Sequence, residues 1–502
     1  MPTGLLTRLS LCGILLCALP VRADLRARID ALLGPAAKQK VSIAARVVAL
    51  PQGEVLYSFR ADEPMKPASN MKLLTSAASL DRLGASFAFE TVLARWGDDL
   101  VVIGGGDPAT GDPRLAARAG EDRLALFDRW TEMLAAAGLT EVRGSLVLDA
   151  SLFDDRLVHP SWPEDQLQQW YAAPVAGLNI NDNCIDVTVR PGAGAGQPAE
   201  FAVWPPNGWV RIENRTVTGG RGFPTIGRLG RSPRYLLSGS CGRSGALQSV
   251  AVPDPVELFA DSLRTRLRSR GISVRGPTVR RRVADARGGV PSDCTVLHRA
   301  RTPLTVVLGR CNQNSQNLFA ECLFKRLGLA ESLADPRPGL DRPQGSWPAG
   351  QRAVRRFLSS LGLEDERTVI DDGSGLSHEN RLSARVLTEV LGHMFGRSDR
   401  EVFVASLTTP GGEGTFGKRL YELEGRLFVK TGTIRGVNAL SGYVRSAEGG
   451  WLCFSLLIND IPGSSAAHRQ LQDAFCRLLA GSWRPQTEPP SEPPVTDARV
   501  AP

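Results

Sequence analysis

The chain has 502 residues, of which 42% are hydrophobic and 22% charged, and its formal net charge is +8. This is the composition of an ordinary globular protein, long enough for about three domains and a large core. The positive charge is mild, and the most basic stretch (residues 218–234) is Gly-rich and irregular, so we interpret it as a solvated loop and not as a nucleic-acid-binding face. Weak attraction to an anionic polymer such as a cell wall agrees better than nucleic-acid binding with the export signal described next.

Residues 1–23 have the pattern of an export signal. Arg8 supplies a short positive region, an apolar run follows at 9–19, and Val21-Arg22-Ala23 resembles a small-residue cleavage site. The run is too short to span a membrane, and the alternative is a buried N-terminal helix. We expect cleavage after Ala23. The mature protein is then exported, periplasmic or cell-wall associated, and at most peripherally bound to the membrane.

The predicted elements form two mixed helix-and-strand pieces around a β-rich middle. Two strands around a glycine turn are predicted within 41–59, a helix follows from Ser69 to about Gly84, and short strands and turns fill 90–300. Amphipathic helices then return, followed by three strands and a closing helix. The later helices are predicted at 304–314, 316–327, 350–361, 383–395 and 466–479, and the strands at 426–434, 438–446 and 451–460.

This order predicts one discontinuous domain, formed by residues 24–90 and 297–482, that is interrupted by a large β-rich insertion. Three domains in series would instead leave the first piece with a very small core. Residues 483–502 are Pro-rich and cannot bury apolar area, so we expect a disordered tail.

The cysteines and histidines indicate neither a metal site nor a Ser-His-Asp triad. Seven cysteines remain after the predicted cleavage, no C-x-x-C occurs, and the five histidines are scattered. We expect no metal and no cofactor. The cysteines are predicted to be core residues or structural bridges, and their odd number leaves at least one thiol free or paired between chains.

Ser69 and Lys72 lie one turn apart in the predicted helix "PASNMKLLTSAASL" (residues 67–80). A serine hydroxyl is a weak nucleophile until a nearby base takes its proton. Lysine serves as that base when burial or a second cation lowers its pKa, whereas arginine stays protonated. Such pairs also occur by chance in helices. Lysine is nevertheless scarce here, with seven Lys against fifty-three Arg, which favours a chemical reason for Lys72.

Two further motifs accompany this pair. Ser315-Gln316-Asn317 begins a predicted helix, and Lys430-Thr431-Gly432 ends a predicted strand. Ser315 is predicted to pass a proton to a leaving amine, with a helix N-cap as the structural alternative. Asn317 is expected to orient Lys72 and to bind a substrate amide. Lys430 is expected to keep Lys72 from protonating and to attract a carboxylate, although an edge-strand lysine would also explain it.

The residues after Lys430 have predicted roles in substrate binding. The hydroxyl groups of Thr431 and Thr433 suit a carboxylate, and Gly432 allows a substrate to approach the strand backbone closely. The backbone N–H groups of Ser69 and Thr433 are predicted to form an oxyanion hole, since free N–H groups near a helix start favour an anion.

The set S-x-x-K, S-x-N and K-T-G, in this chain order, is associated with penicillin-binding proteins and β-lactamases. The sequence resembles the low-molecular-mass class C penicillin-binding proteins, the D-alanyl-D-alanine carboxypeptidase/endopeptidases, over roughly residues 25–480. Stretches without a catalytic motif match as well, among them "IGGGDPAT", "GSLVLDASLFDD", "GLNINDNCIDVTVRPG", "DGSGLS" and "TPGGEGTF".

The resemblance implies an α+β, multi-domain fold. Its catalytic part is a serine β-lactamase/transpeptidase-like domain, an antiparallel sheet flanked by helices. It also implies two inserted domains, which we assign to residues 91–160 with 255–296 (domain II) and to 161–254 (domain III).

For activity, the resemblance implies an acyl-enzyme on Ser69. Hydrolysis of D-Ala-D-Ala in peptidoglycan stem peptides and of D-Ala–diaminopimelate cross-links is expected, as is acylation by penicillins and other β-lactam antibiotics. In some relatives an acidic residue after a Trp-Pro binds the free end of diaminopimelate, and "SWPED" offers Trp162 and Asp165. A basic residue after "SGLS" is replaced here by His378, with Arg381 nearby. The alternatives are a β-lactamase, for which no water-activating motif is evident, and an inactive peptidoglycan-binding scaffold.

Overall fold

The computed structural model describes residues 12–37, 41–336, 342–447 and 449–482. The first part of the predicted export signal (1–11) and the predicted tail (483–502) lie outside the described residues. The helices are α1 (Cys12–Ala37), α2 (Met71–Leu83), α3 (Pro113–Ala119), α4 (Ala125–Ala136), α5 (Pro255–Ser269), α6 (Leu304–Gln313), α7 (Asn317–Ala334), α8 (Trp347–Ser360), α9 (Ala384–Gly396), α10 (Arg400–Ala405) and α11 (Ala466–Ser482).

The strands alternate with these helices along the chain. They are β1 (Ser42–Leu50), β2 (Glu54–Phe59), β3 (Ala88–Trp96), β4 (Asp99–Gly104), β5 (Glu141–Val142), β6 (Leu146–Asp149), β7 (Cys184–Arg190), β8 (Glu200–Trp204), β9 (Arg211–Thr218), β10 (Thr225–Arg228), β11 (Arg234–Cys241), β12 (Gly245–Ala246), β13 (Val250–Ala251), β14 (Ser273–Val274), β15 (Thr278–Arg280), β16 (Thr295–Pro303), β17 (Leu427–Ile434), β18 (Val437–Arg445) and β19 (Trp451–Asn459).

The main sheet is antiparallel, with the strand order β17-β18-β19-β1-β2. Alternate residues of β1 face two different cores: Ala44 and Val48 pack with α2, α7 and α9, whereas Ile43 and Val47 pack with α1 and α11. Because both faces are covered, β1 is apolar along almost its whole length. The predicted α+β fold with an antiparallel sheet flanked by helices is confirmed.

The insertion has its own five-stranded sheet, with the order β15-β6-β4-β3-β16. Its edge pair β3 and β16 carries the chain out of the main domain and back. The predicted domain boundaries, after residue 90 and before residue 297, fall inside these two strands. Smaller sheets formed by β7 to β13 lie within 184–251, inside the range proposed for domain III.

The middle of the chain is more helical than the sequence indicated. Helices α4 and α5 lie there, and α5 extends over 15 residues. Its start is well defined, because the Asp254 carboxylate accepts hydrogen bonds from Val256 N and Glu257 N, and Pro255 occupies the first helical position. The surrounding Gly- and Pro-rich turns obscured this local signal.

Helix α1 includes the predicted cleavage position, Ala23. Downstream of it, Leu25, Ile29 and Leu33 follow one another at four-residue intervals and are buried in the core beneath α11. Cleavage after Ala23 would retain this packed part of the helix, and it stays a prediction. Among the described helices, none has the length and hydropathy required to cross a bilayer.

The cysteines that follow the predicted cleavage position are thiols without disulfide partners. All except Cys294 are buried, so they serve as core residues rather than bridges. They are Cys184, Cys241, Cys294, Cys311, Cys322, Cys453 and Cys476.

Candidate active site

Ser69 lies in a short 3-10 turn, Ala68–Asn70, directly before helix α2. The turn is tight, since Ala68 adopts φ = 45°, and Ser69 remains partly accessible. Strand β17 passes close beside it: a Cβ atom on Gly432 would lie 3.0 Å from Ser69 N and 2.9 Å from Pro67 O. The absence of a side chain at Gly432 therefore leaves the serine backbone open on the strand side.

Lys72 is fully buried behind Ser69. Its Nζ lies 3.0 Å from Ser69 Oγ, 2.6 Å from Asn317 Oδ1 and 2.8 Å from the carbonyl oxygen of Ser374. Three oxygen atoms from three separate segments thus fix the amine beside the nucleophile. The predicted pairing of Ser69 with Lys72, and of Lys72 with Asn317, is present in the structure.

Burial lowers the pKa of Lys72 to about 8, while the negative charges of Asp372 and Glu321 and the nearby Cys311 act in the opposite direction. Removing the ammonium group from water disfavours its charged form. Of the two causes named from the sequence, burial and a second cation, burial is the larger in the structure. With a pKa of about 8, about a tenth of the Lys72 amine is neutral at pH 7, and this form is able to accept a proton.

Ser315 and Lys430 form the second polar pair of the site. Lys430 Nζ donates to Ser315 Oγ at 2.9 Å and to the carbonyl oxygen of Thr431 at 2.8 Å. Burial and the charge of Lys72 lower the pKa of Lys430 well below its usual value. Ser315 adopts φ = 57° and does not cap α7, whose N-cap residue is Gln316. Its hydroxyl is therefore directed to the site rather than to the helix.

Asn317 connects this site to the insertion. While its Oδ1 accepts from Lys72, its Nδ2 donates to the carbonyl oxygen of Tyr171 at 2.6 Å. The amide nitrogen predicted to bind substrate is thus engaged by a backbone group of the inserted segment.

Thr431 and Thr433 flank Gly432 on the strand that borders the serine. Thr431 Oγ1 lies 2.7 Å from Thr415 Oγ1, and Thr433 Oγ1 donates to Asn438 Oδ1 at 3.0 Å. Thr433 is exposed and Thr431 partly so, which leaves both accessible to a ligand.

Asp165 lies apart from this network. It is exposed in a short 3-10 helix, Glu164–Gln166, and among the described residues no hydrogen bond joins it to the paired serines and lysines. It is nevertheless close to Tyr171: after burial, the charge of Asp165 is the cause that raises the pKa of that tyrosine. Its neighbour Trp162 is buried, and Nε1 donates to Asp372 Oδ2 at 2.9 Å.

The two basic residues that follow "SGLS" differ in their surroundings. The guanidinium group of Arg381 donates to the carbonyl oxygens of His378 and Asn380. Burial lowers the pKa of His378, which favours a neutral side chain there.

Sequence reasoning missed a buried support beneath Lys72. Glu321 is fully buried and accepts hydrogen bonds from Ser374 N at 2.7 Å, Gly373 N at 3.1 Å and Trp347 Nε1 at 2.8 Å. These contacts hold the loop whose carbonyl binds Lys72. Burial and the charge of Asp372 raise the pKa of Glu321. An acid within the apolar run "NLFAECLF" was the available signal.

No group of three or more His, Cys, Asp or Glu side chains in the described part of the chain is placed to hold a metal ion. The groups that meet around Ser69 are hydroxyl, amine, amide and backbone groups.

Comparisons with known proteins found sequence similarity over most of the chain. The model of the D-Ala-D-Ala carboxypeptidase 3 (S13) family matches residues 25–481. The chain is 33% identical over 488 residues to a D-alanyl-D-alanine carboxypeptidase of Actinomadura sp. (strain R39), covering 91% of this chain and 84% of the relative. It is 25% identical to D-alanyl-D-alanine carboxypeptidase DacB of Haemophilus influenzae, covering 81% and 83%.

The fold is similar to that of penicillin binding protein 4 (dacB) from Haemophilus influenzae. The crystal structure of that protein superposes with a TM-score of 0.71 at 22% identity, covering 90% of this chain and 99% of that one. A second structure of it, complexed with a novel β-lactam, gives a TM-score of 0.67 at 21% identity with the same coverage.

Proposed function

The chain belongs to the D-Ala-D-Ala carboxypeptidase 3 (S13) family, and on this premise we propose that it acts through an acyl-enzyme on Ser69 with Lys72 as the general base. It is a serine-type D-alanyl-D-alanine carboxypeptidase, and this membership does not favour the β-lactamase or scaffold alternatives. The observation that carries the proposed roles is the buried Lys72 amine, 3.0 Å from the serine hydroxyl, with its pKa lowered to about 8.

In the proposed acylation step, Ser69 Oγ attacks the carbonyl carbon of the penultimate D-Ala, and Lys72 takes the hydroxyl proton. The developing oxyanion is stabilised by the backbone N–H groups of Ser69 and Thr433, on either side of the gap left by Gly432. A proton returns through Ser315, which Lys430 orients, to the leaving amine. The released product is D-Ala, and water then hydrolyses the ester bond to Ser69.

The substrate-binding roles follow from the same arrangement. Thr431, Thr433 and the cation of Lys430 are assigned to the carboxylate beside the scissile bond, which would raise the lowered pKa of Lys430 again. Asn317 positions Lys72 and binds a substrate amide once its bond to Tyr171 is exchanged. Asp165, exposed and near Tyr171, is assigned to the free amine of diaminopimelate in cross-linked peptides. With this assignment we propose that the protein also has endopeptidase activity on cross-linked peptides.

Labelling with a fluorescent penicillin tests the nucleophile. One structural relative has been crystallised with a β-lactam, and we propose that this chain is also acylated by such compounds. The mature protein should become covalently labelled, whereas Ser69→Ala should not. Equal labelling of both proteins would disprove the assignment of Ser69.

Defined muropeptides test the reaction itself. Mass analysis should show loss of D-Ala from monomeric pentapeptides and cleavage of D-Ala–diaminopimelate cross-links. Asp165→Asn should reduce cleavage of substrates that present the free amine of diaminopimelate, whereas a matched stem peptide without that amine should be cleaved as by the wild type. Recovery of every muropeptide uncleaved would contradict the proposed peptidase activity.

We also propose that the protein is exported and acts in the periplasm or at the cell wall. Residues 1–23 support this through their signal pattern, and a peptidoglycan substrate lies outside the cytoplasm. Mass spectrometry of the protein purified from its host should find Asp24 as the first residue. An intact N-terminus in a cytoplasmic fraction would contradict the proposal.

A further inference from the structure

The stretch "TPGGEGTF" (409–416) has no role in the mechanism above, yet its Thr415 contacts Thr431 of the site. At its start, Thr408 N donates to Val429 O at 3.0 Å, and Val429 N donates to Thr408 O at 2.8 Å. At its end, Thr415 N donates to Gln313 O at 2.9 Å. The loop therefore joins strand β17, which carries Lys430, to the segment that carries Ser315.

Glycine is required for this path. Gly414 adopts φ = 117°, and a Cβ atom there would lie 2.2 Å from Gln313 O. A side chain at this position would displace the loop from the segment before Ser315. The position of the next residue, Thr415, is thus fixed by backbone packing on both sides.

The hydroxyl of Thr415 meets the substrate side of the site. Its Oγ1 lies 2.7 Å from Thr431 Oγ1, and Thr415 is exposed. In a hydrogen-bonded pair of hydroxyls, one donates to the other and the second keeps a proton for a further acceptor. Lys430 Nζ donates to the backbone oxygen of Thr431 at 2.8 Å, and the Glu413 carboxylate is paired with Arg118 at 2.7 Å. The intact pair therefore offers one free hydroxyl proton to an anion, and a second becomes available when the anion displaces the bond between the two hydroxyls.

We propose that Thr415 is a substrate-binding residue that forms, with Thr431, a two-hydroxyl cradle for the carboxylate beside the scissile bond. This inference rests on the proposed function. A carboxylate carries about four acceptor positions on two oxygens, so it can replace the bond between the two hydroxyls and accept a hydrogen bond from each. The ligand class is a peptide or ester whose leaving group has a carboxylate on the carbon bonded to the leaving nitrogen or oxygen.

Two ester substrates that differ only at this carboxylate test the proposal. One is an acyl-D-alanyl-D-lactate and the other is its D-lactamide. Thr415→Val should lower kcat/KM for the carboxylate substrate about tenfold, the size expected for a hydrogen bond to a charged group, and for the lactamide by less than about twofold. Thr415→Ser should restore the wild-type ratio, because it keeps the hydroxyl.

Thr409→Val provides the matched control. It makes the same chemical change in the same loop, at a hydroxyl that has no hydrogen-bond partner in the described protein. The kcat/KM of this variant should equal that of the wild type for both substrates. The double variant Thr415→Val/Thr431→Val should lose less than the product of the two single losses, since both hydroxyls serve one anion.

Two results would overturn the cradle. One is an equal loss of kcat/KM for both substrates in Thr415→Val, which would mean that Thr415 only supports the loop. The other is an unchanged kcat/KM for the substrate that has the carboxylate. Failure of the proposed function looks different: the wild-type protein would then hydrolyse neither ester and would take no label from penicillin.

Discussion

Lys72 determines when the site is reactive. Only its neutral amine can accept the Ser69 proton, and burial lowers its pKa to about 8. Because the group is a base with a lowered pKa, the neutral form is lost as the pH falls through that value. The acylation rate constant with benzylpenicillin should therefore rise with pH, with an inflection near pH 8, and decrease about tenfold per pH unit well below it. A profile that is flat between pH 6 and 9 would contradict a titrating Lys72.

Lys72→Arg separates the charge of this residue from its ability to release a proton. Arginine remains protonated, so acylation should fall by at least about a hundredfold, within the usual contribution of a general base. Lys418→Arg makes the same exchange at an exposed lysine and should acylate like the wild type. Stopped-flow labelling compares the variants, and retained acylation in Lys72→Arg would exclude Lys72 as the base.

Glu321 is expected to influence Lys72 through its charge. Glu321, Asp372 and Cys311 raise the pKa of Lys72 against the effect of burial. Glu321→Gln removes one of these charges, so the inflection in the acylation profile should move to lower pH. The rate will also fall, because an amide NH2 replaces an oxygen that accepts hydrogen bonds. A lower rate with an unmoved inflection would assign Glu321 a purely structural role.

Among the individual residues of the site, those that lie in short motifs could be predicted from the sequence. Ser69 and Lys72 are one turn apart, and their pairing follows from helix geometry alone. Glu321, Ser374 and Thr415 were not assigned roles, although two of them lie in stretches that resemble the family. Their contacts join segments that are distant in the chain, and only the packing of α7, the Ser374 loop and β17 brings them to the site.

The next scale is that of strand β17 and the turn before α2. Gly432→Ala would place a Cβ atom 2.9 Å from Pro67 O and 3.0 Å from Ser69 N. The strand and the turn must then separate by a few tenths of an ångström, which misaligns the proposed oxyanion donors. Since losing one such donor costs about a hundredfold or more, acylation should fall at least that far.

Gly392→Ala is the matched control for this change. It lies in α9, where the nearest atom to a new Cβ is 3.9 Å away, so acylation and thermal stability should be preserved. Thermal unfolding of Gly432→Ala should remain near that of the wild type. A large drop in its Tm together with lost acylation would indicate general unfolding instead of a local effect on the oxyanion hole.

Elements with sustained periodicity were predictable and those defined by a cap were not. The apolar strands of the main sheet and helices α6 to α9 were expected from their patterns. Helix α7 continues to Ala334, beyond the predicted residue 327, because its buried face continues through Leu329 and Ser332. The sequence signal for helix α5 was the single N-cap residue Asp254, and the Gly- and Pro-rich composition around it led us to predict turns there.

At the scale of the whole molecule, the insertion shares its core with the main domain. Phe153, Trp162 and Val175 belong to the same buried cluster as residues of α2, α7 and α8. Interruption of the domain was predictable from the separation of the motifs along the chain. This shared packing was not, since no local pattern records which inserted residue contacts which helix. Because the contacts reach Asp372 and Asn317, the insertion helps to hold the catalytic groups in place.

One ion pair, in which the lysine is fully buried and the aspartate is partly exposed, makes this connection measurable. Lys325 of α7 is fully buried, and its Nζ lies 2.8 Å from Asp154 Oδ1, 2.7 Å from Arg156 O and 3.9 Å from the centre of a Trp347 ring. Asp154→Ala should leave this ammonium group without its counter-ion. The cost expected for breaking a buried pair from one side is about 3 kcal/mol, which should lower the Tm by several degrees.

Lys325→Met should behave differently, although it removes the same ion pair. Methionine of similar length fills the space against Trp347 without a charge, so the expected change in stability is within about 1 kcal/mol. The double variant Asp154→Ala/Lys325→Met should recover most of the stability lost in Asp154→Ala. Equal destabilisation by both single variants would instead mean that the pair itself stabilises the junction. Because the pair joins the insertion to α7, whose first residue is Asn317, penicillin acylation should weaken in Asp154→Ala and persist in Lys325→Met.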